Sequence, residues 1–261
     1  MSEVNNQGGR LKNKVAIITG GAYGIGRSFC LGMAGEGAKI VVADIDLEAA
    51  KTTVAEIEVK GTDAIALKTD VSSPEDTHEM AKKAAAHFGT IDILVNNAAI
   101  FARVKVSAVP FYDIDLNEWD RVMEVNLKGP FLCSRAVFSY MKAQGRGKII
   151  NISSSTFFTG TPRFAHYVAS KGGVIGLSRS LASAMGEYNI NVNCIAPGRT
   201  FSEDPTDQDA LQRLQHSAST RIMKRIEYPE DLVGTAIFLA SADSDFITGQ
   251  TIIVDGGITM H

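Results

Sequence analysis

Tyr167 and Lys171, in Tyr167-Val168-Ala169-Ser170-Lys171, place a phenol and an ammonium four residues apart, a spacing that puts both on one face of a helix. A lysine beside a phenol, helped by a further positive charge nearby, stabilises phenolate and lowers a pKa that is ~10 when unperturbed. Such a tyrosine can take the proton of an alcohol. The spacing alone is common and equally describes a packed tyrosine with a solvated lysine, so context decides. A second constellation concerns phosphate. Thr19-Gly20-Gly21-Ala22-Tyr23-Gly24-Ile25-Gly26 follows an apolar run and opens a helical stretch. Glycines there let the backbone turn tightly and approach a pyrophosphate, while the helix N-terminus offers free N–H groups. The next apolar run ends at Asp44, where an acid accepts bonds from both hydroxyls of an adenosine ribose and repels a 2′-phosphate. Tyr23 stands where a basic residue could clamp that phosphate, so NAD is expected rather than NADP.

These groups need a frame, and the hydrophobic pattern supplies one. Short Val- and Ile-rich runs at 14–19, 39–43, 64–69, 91–95, 147–152, 190–196 and 251–254 read as strands buried on both faces. Between them, stretches at 25–36, 46–60, 74–88, 117–143, 164–187 and 229–240 carry apolar residues at helical spacing. Strand and helix alternate throughout, which predicts an α/β fold: a single doubly wound Rossmann domain, with a parallel sheet of about seven strands and helices on both faces. A flexible tail is expected over 1–10 and one catalytic domain over 11–261. The segments 100–116 and 198–228 resist the rhythm after strand ends, where ligands bind in such sheets, and are expected to wall a pocket.

The 261 residues are 45% hydrophobic and 21% charged with a net charge of −3, which gives no general attraction to nucleic acid or anionic lipid. A small-molecule substrate is the remaining default. Cys30, Cys133 and Cys194 lie far apart without CxxC spacing, which argues against disulfides or a zinc knuckle and fits a reducing cytoplasm. No apolar run is long enough for a membrane span. His87, His166 and His216 lack metal-ligand spacing and read as surface or packing residues, so no metal is expected. Trp119, Phe131 and Phe138 read as core.

The spacing Gly20-x3-Gly24-x-Gly26 resembles the TGxxxGxG loop of the short-chain dehydrogenase/reductase family, and the likeness runs from about 12 to 257. Asp70-Val71 looks like that family's adenine-contacting pair. Asn96-Asn97-Ala98-Ala99 resembles its NNAG motif, with Ala99 in place of glycine, and Pro197-Gly198 resembles the turn near the nicotinamide. Ser154 precedes Tyr167 by thirteen residues, like the family's Ser-to-Tyr interval, and Asn126 matches a helix-embedded asparagine that binds a water beside the lysine. The resemblance thus implies a catalytic tetrad of Asn126, Ser154, Tyr167 and Lys171. It also implies an NAD site of Gly20, Tyr23, Gly24, Ile25, Gly26, Asp44, Asp70, Val71, Asn97, Ala98, Tyr167, Lys171, Pro197 and Gly198. Thr200 and Ser202, counted with the same NAD site, replace the usual aliphatic residue and threonine beyond the turn.

The stretch 156–177 and the ending ITGQTIIVDGGITMH look most like bacterial NAD-dependent alcohol dehydrogenases of this family, including the pyridoxal 4-dehydrogenase and 1-phenylethanol dehydrogenase types, with sugar 1-dehydrogenases close in pattern. This implies hydride transfer between a secondary or ring alcohol, or a sugar lactol, and NAD. Thr156, Phe158 and Phe164, with Phe101 and Arg103 from the other loop, are expected to line the substrate pocket. Arg163 and Arg199 lie near its edge, and with Arg103 they leave open an anionic substituent, as in a sugar 1-dehydrogenase for an anionic sugar. The segment Arg199 to Glu227 is polar and weakly amphipathic, which predicts a mobile lid. The helices carrying Asn126 and Tyr167 place Leu127, Phe131, Val137, Phe138, Val174, Leu177 and Leu181 on more than one face, and with the family this implies a homotetramer. Two other readings stand beside this one. A non-catalytic NAD-binding regulator could share the fold, and an enoyl reductase would want lysine where Val174 stands.

Overall fold

A computed structural model describes residues 9–101, 104–201 and 208–260. Its strands are β1 (Val15–Thr19), β2 (Lys39–Asp44), β3 (Ala64–Lys68), β4 (Ile93–Asn96), β5 (Gly147–Ile152), β6 (Ile190–Pro197) and β7 (Thr251–Val254). All pair in parallel in the order β3-β2-β1-β4-β5-β6-β7. The Val- and Ile-rich runs form strands because both of their faces are covered. Along β2, Ile40 and Val42 enter one core while Val41 and Ala43 enter the other, the two-residue alternation of a pleated strand. Each fully buried aliphatic side chain there contributes ~1.5–3 kcal/mol.

The helices are α1 (Gly24–Gly35), α2 (Leu47–Glu58), α3 (Pro74–Phe88), α4 (Leu116–Met123), α5 (Gly129–Gln144), α6 (Thr156–Thr159), α7 (Ala165–Met185), α8 (Gln208–Thr220) and α9 (Glu230–Ala240). Local chemistry sets their ends. For α3, the Ser73 hydroxyl accepts from Asp76 N, Pro74 occupies the first turn, and Gly89 takes φ 81 just beyond the end, the usual start and stop signals. The chain runs outward from β1 to β3 and returns at β4, so the crevice beyond β1 and β4 is the switch point where ligands enter such a sheet.

Three features depart from the sequence reading. The expected continuous helix 117–143 is interrupted by a π turn over Glu124–Lys128. Pro130 has no N–H to give the carbonyl four residues earlier, so the regular ladder cannot pass Asn126. Phe131, expected in the core, is 42% exposed. Of the expected tail 1–10, Gly9 and Arg10 are held in place: Arg10 N donates to Glu36 Oε2 at 2.8 Å and its guanidinium pairs with the same carboxylate. Residues 1–8, 102–103, 202–207 and 261 lie outside the described residues, and with them Arg103 and Ser202.

Candidate active site

The glycine-rich turn is stitched to the strand beside it. Thr19 Oγ1 accepts from Asn97 N and Ala98 N at 3.0 and 3.1 Å, and Asn97 Nδ2 donates to the carbonyls of Thr19 and Gly20 at 3.1 and 3.0 Å. Asn97 is therefore a brace for the turn. Gly20 and Gly24 take φ +63 and +50, which β-carbon-bearing residues rarely adopt. Gly26 sits behind the turn: a Cβ there would overlap the Gly20 carbonyl oxygen and stand 2.5 Å from Asn97 Nδ2. Tyr23, the residue before α1, makes no side-chain capping bond, leaving the first-turn N–H groups to face the crevice.

At the end of β2 the buried Asp44 carboxylate accepts from Ala22 N and Asp46 N, both at 3.0 Å. The Tyr23 hydroxyl donates to Asp46 Oδ2 at 2.7 Å. Two carboxylates thus stand at this rim, a setting that suits ribose hydroxyls. Asp70 Oδ1 accepts from Ser72 N and Oγ at 2.9 and 2.6 Å, and Val71 packs so closely on Gly129 that a Cβ there would be 2.9 Å away. A cleft of about 870 Å³ joins Gly20, Tyr23, Gly24, Ile25, Asp44, Asp70, Val71, Asn97 and Ala98 to Phe101, Ser154, Thr156, Tyr167, Lys171, Pro197, Gly198 and Thr200. Glycines that must stay bare, an open helix N-terminus and an acid at the second strand end fit an adenine dinucleotide.

The far end of the cleft is built on β5 and α7. Lys171 Nζ donates to the Ile152 carbonyl at 2.8 Å, and Ser153 Oγ donates to the Lys171 carbonyl at 2.8 Å. Ser154 Oγ accepts from Thr156 Oγ1 at 2.9 Å and is hydrogen-bonded to the Tyr167 phenol. Asn126, fully buried in the π turn, accepts from Ile100 N at 2.7 Å and donates to the Ile100 carbonyl and to Ser170 Oγ at 3.2 and 3.3 Å. Its side chain thereby ties the loop after β4 to α7.

The electrostatics differ from the spacing argument. Phe101 stacks on Tyr167 with ring centres 4.2 Å apart, and Phe164 meets Phe101 edge-on at 5.4 Å. Buried there, the Tyr167 phenol is pushed up to about 12, opposed by the Ser154 hydrogen bond and the charge of Arg199. Burial also brings the Lys171 ammonium down to about 8. Lys171 Nζ lies 5.8 Å from the Tyr167 ring centre, and burial is the larger influence on the phenol.

Among the expected pocket residues, Phe101 and Thr156 line the cleft and Phe164 backs Phe101. Phe158 does not: it packs on Val174, Ile175 and Cys194. Two residues along a helical turn is about 200° of rotation, so Thr156 facing the cleft sends Phe158 the other way. Val104, Arg121 and Arg199 also line the cleft, whereas Arg163 is exposed and lies outside its wall. A latch passed over in the sequence holds the loop before α4. Glu118 Oε1 accepts from Ser107 N at 2.7 Å and Ser107 Oγ at 2.9 Å, and bonds the fully buried His166 Nε2 at 2.8 Å.

The segment expected to be a mobile lid is anchored at both ends. Phe201 N donates to the Glu227 carbonyl at 2.8 Å, Arg221 is 1% exposed, and Leu214 of α8 is buried.

Comparison with known proteins agrees with this geometry. Residues 20–259 match the family model described as "Enoyl-(Acyl carrier protein) reductase". Galactitol 2-dehydrogenase of Agrobacterium fabrum is 42% identical over 259 residues, covering 95% of this chain and 98% of that protein. The 2-dehydro-3-deoxy-D-gluconate 5-dehydrogenase of Dickeya dadantii is 39% identical over 253 residues, covering 95% and 96%. The crystal structure of NAD+-bound xylitol dehydrogenase superposes with a TM-score of 0.88 at 30% identity, covering 95% of this chain and 100% of that one. The chain belongs to the short-chain dehydrogenase/reductase family and is an oxidoreductase with a Rossmann fold that takes a nicotinamide cofactor. Among the described residues no helix is long and apolar enough to cross a membrane.

Proposed function

We propose that this protein oxidises a secondary alcohol to a ketone with NAD, with Tyr167 as the base. The observation that carries the reading is the convergence of Ser154, Tyr167 and Lys171 at one end of a cleft whose other end holds the glycine turn and Asp44. When bound, the oxidised nicotinamide supplies the hydride acceptor and a positive charge. Ser154, oriented by Thr156, holds the substrate oxygen. Tyr167 takes the hydroxyl proton as the carbinol carbon gives up its hydride. Lys171 and the charge at Arg199 favour phenolate, and Asn126 keeps the loop after β4 in register with α7. Relatives named for galactitol, xylitol and a deoxy-gluconate derivative favour a polyol or sugar-derived alcohol, and the Phe101–Phe164 wall also suits a ring. Val174, buried beside Ile175, occupies the place where an enoyl reductase would want lysine.

The test is turnover of a panel of polyols, sugar acids, lactols and ring alcohols with NAD and with NADP. Turnover preferring NAD is expected. NADH binding with no turnover on the whole panel would favour a non-catalytic regulator. Asp44→Ala, which removes the ribose acceptor and its charge, is expected to weaken NAD by about tenfold, as for a hydrogen bond to a charged group, and to improve relative use of NADP. Wild-type protein that prefers NADP would overturn this assignment.

Met123, Leu127, Phe131 and Leu177 line an open groove across α4, the π turn, α5 and α7. Val137 and Val174, named with these residues among the apolar positions spread over more than one face, are fully buried in the core. We assign the groove to contact between copies in a homotetramer, and a single-chain mass in solution at micromolar concentration would contradict that.

A further inference from the structure

Behind the Pro197-Gly198-Arg199-Thr200 turn lies a buried ion pair that no step above uses. Arg221 is 1% and Glu227 5% exposed, with Arg221 Nη2 3.0 Å from Glu227 Oε2. Burying two charges is costly unless further bonds satisfy them; Arg221 Nη1 donates to the Arg225 carbonyl at 3.2 Å, and two further bonds go to the turn. Arg221 Nη2 donates to the Arg199 carbonyl at 2.6 Å, and Glu227 Oε1 accepts from Thr200 Oγ1 at 2.8 Å. Glu227 is seated directly against the turn's backbone, since a Cβ on Gly198 would lie 2.5 Å from its Oε2. Gly198 and Thr200 line the cleft, and the ion pair stands behind them.

The hydroxyl of Thr200 has one proton. A carboxylate can only accept, so that proton is committed to Glu227. The other acceptor within reach among the described residues, the Gly198 carbonyl at 3.3 Å, also belongs to the protein. In either case the proton is held by the protein, and what the Thr200 oxygen has left to offer a ligand is lone pairs.

We propose that Arg221 and Glu227 are positioning residues that hold Thr200 as a hydrogen-bond acceptor at the nicotinamide end of the cleft, selecting a ring that carries an N–H donor. This rests on the reading that the cleft binds a nicotinamide dinucleotide. A pair that only stabilised the fold would affect all ligands alike, whereas a positioning pair discriminates among them.

The experiment measures dissociation constants by calorimetry for wild type and Glu227→Gln with three probes. ADP-ribose ends before the nicotinamide. NADH carries the carboxamide. Reduced 3-acetylpyridine adenine dinucleotide carries a methyl ketone in its place and has no N–H donor. Wild type is expected to bind NADH about fivefold more tightly than the acetylpyridine analogue, the worth of roughly one hydrogen bond. In Glu227→Gln the amide can donate to Thr200, the hydroxyl is free to turn outward, and the gap is expected to narrow to about twofold or less. ADP-ribose affinity is expected to stay unchanged. Equal weakening of all three probes, or a gap that persists as in wild type, overturns the proposal. Should Glu227→Gln fail to fold, the double variant Arg221→Met with Glu227→Met removes both charges together and leaves neither unpaired; the same narrowing is expected and its absence is equally decisive. Wild type that binds no NADH defeats the functional reading itself, whereas tight NADH binding with no gap defeats only this inference.

Discussion

Tyr167→Phe is expected to lower alcohol turnover by roughly 10²–10⁴-fold, the usual worth of a general base, while leaving the affinity for NADH within about twofold. The ring itself is retained, so its stacking with Phe101 and the burial of α7 persist in the variant. Only the hydroxyl goes, with the Ser154 hydrogen bond that restrains its pKa. Steady-state kinetics on the best substrate of the panel, with an NADH titration and a circular dichroism spectrum, check the three parts separately. Turnover near that of wild type by a folded variant would remove Tyr167 from the mechanism and require a different base.

Gly26→Ala is expected to cost at least about tenfold in NADH affinity and ~1–3 kcal/mol of stability, the typical penalty for forcing a methyl into a packed site. The obstacle is the Gly20 carbonyl, backbone that cannot step aside without moving the phosphate-facing turn, with Asn97 Nδ2 2.5 Å away as a second obstacle. Gly35, at the other end of the same helix, meets nothing within 4 Å, and Gly35→Ala serves as the control with unchanged affinity. Thermal melts and NADH titrations of both variants measure this. A Gly26→Ala protein as stable and as tight as the control would mean that the turn adapts freely.

The strands were legible because a parallel sheet covered on both faces demands unbroken Val and Ile, and each such run became a strand. The gathering of Gly20, Gly24, Asp44, Ser154, Tyr167 and Lys171 along one cleft was legible because it follows from spacing along a single turn or helix and from strand ends. What escaped depends on contacts between distant segments. Arg221 and Glu227 fall in a stretch that reads only as polar and weakly amphipathic, and the packing of the chain around the turn after β6 buries them. His166 and Glu118 belong to different helices, and nothing in either local pattern marks them as partners. The phenol shows the same limit: neighbouring charge could be read from the Tyr–Lys spacing, but the burial that opposes it comes from Phe101, in a loop far away in sequence.

The bonds converging on Glu118 Oε1 from Ser107 and His166 determine how this enzyme can be re-engineered. The loop after β4 is the obvious part to transplant from a relative when a new substrate is wanted. Transplanting it alone would take the Ser107 bonds from Glu118 while Glu118 still holds the buried His166, the neighbour of Tyr167, and the graft would disturb the residue proposed as the base. The exchangeable cassette is therefore discontinuous in sequence: positions 107, 118 and 166 have to travel together.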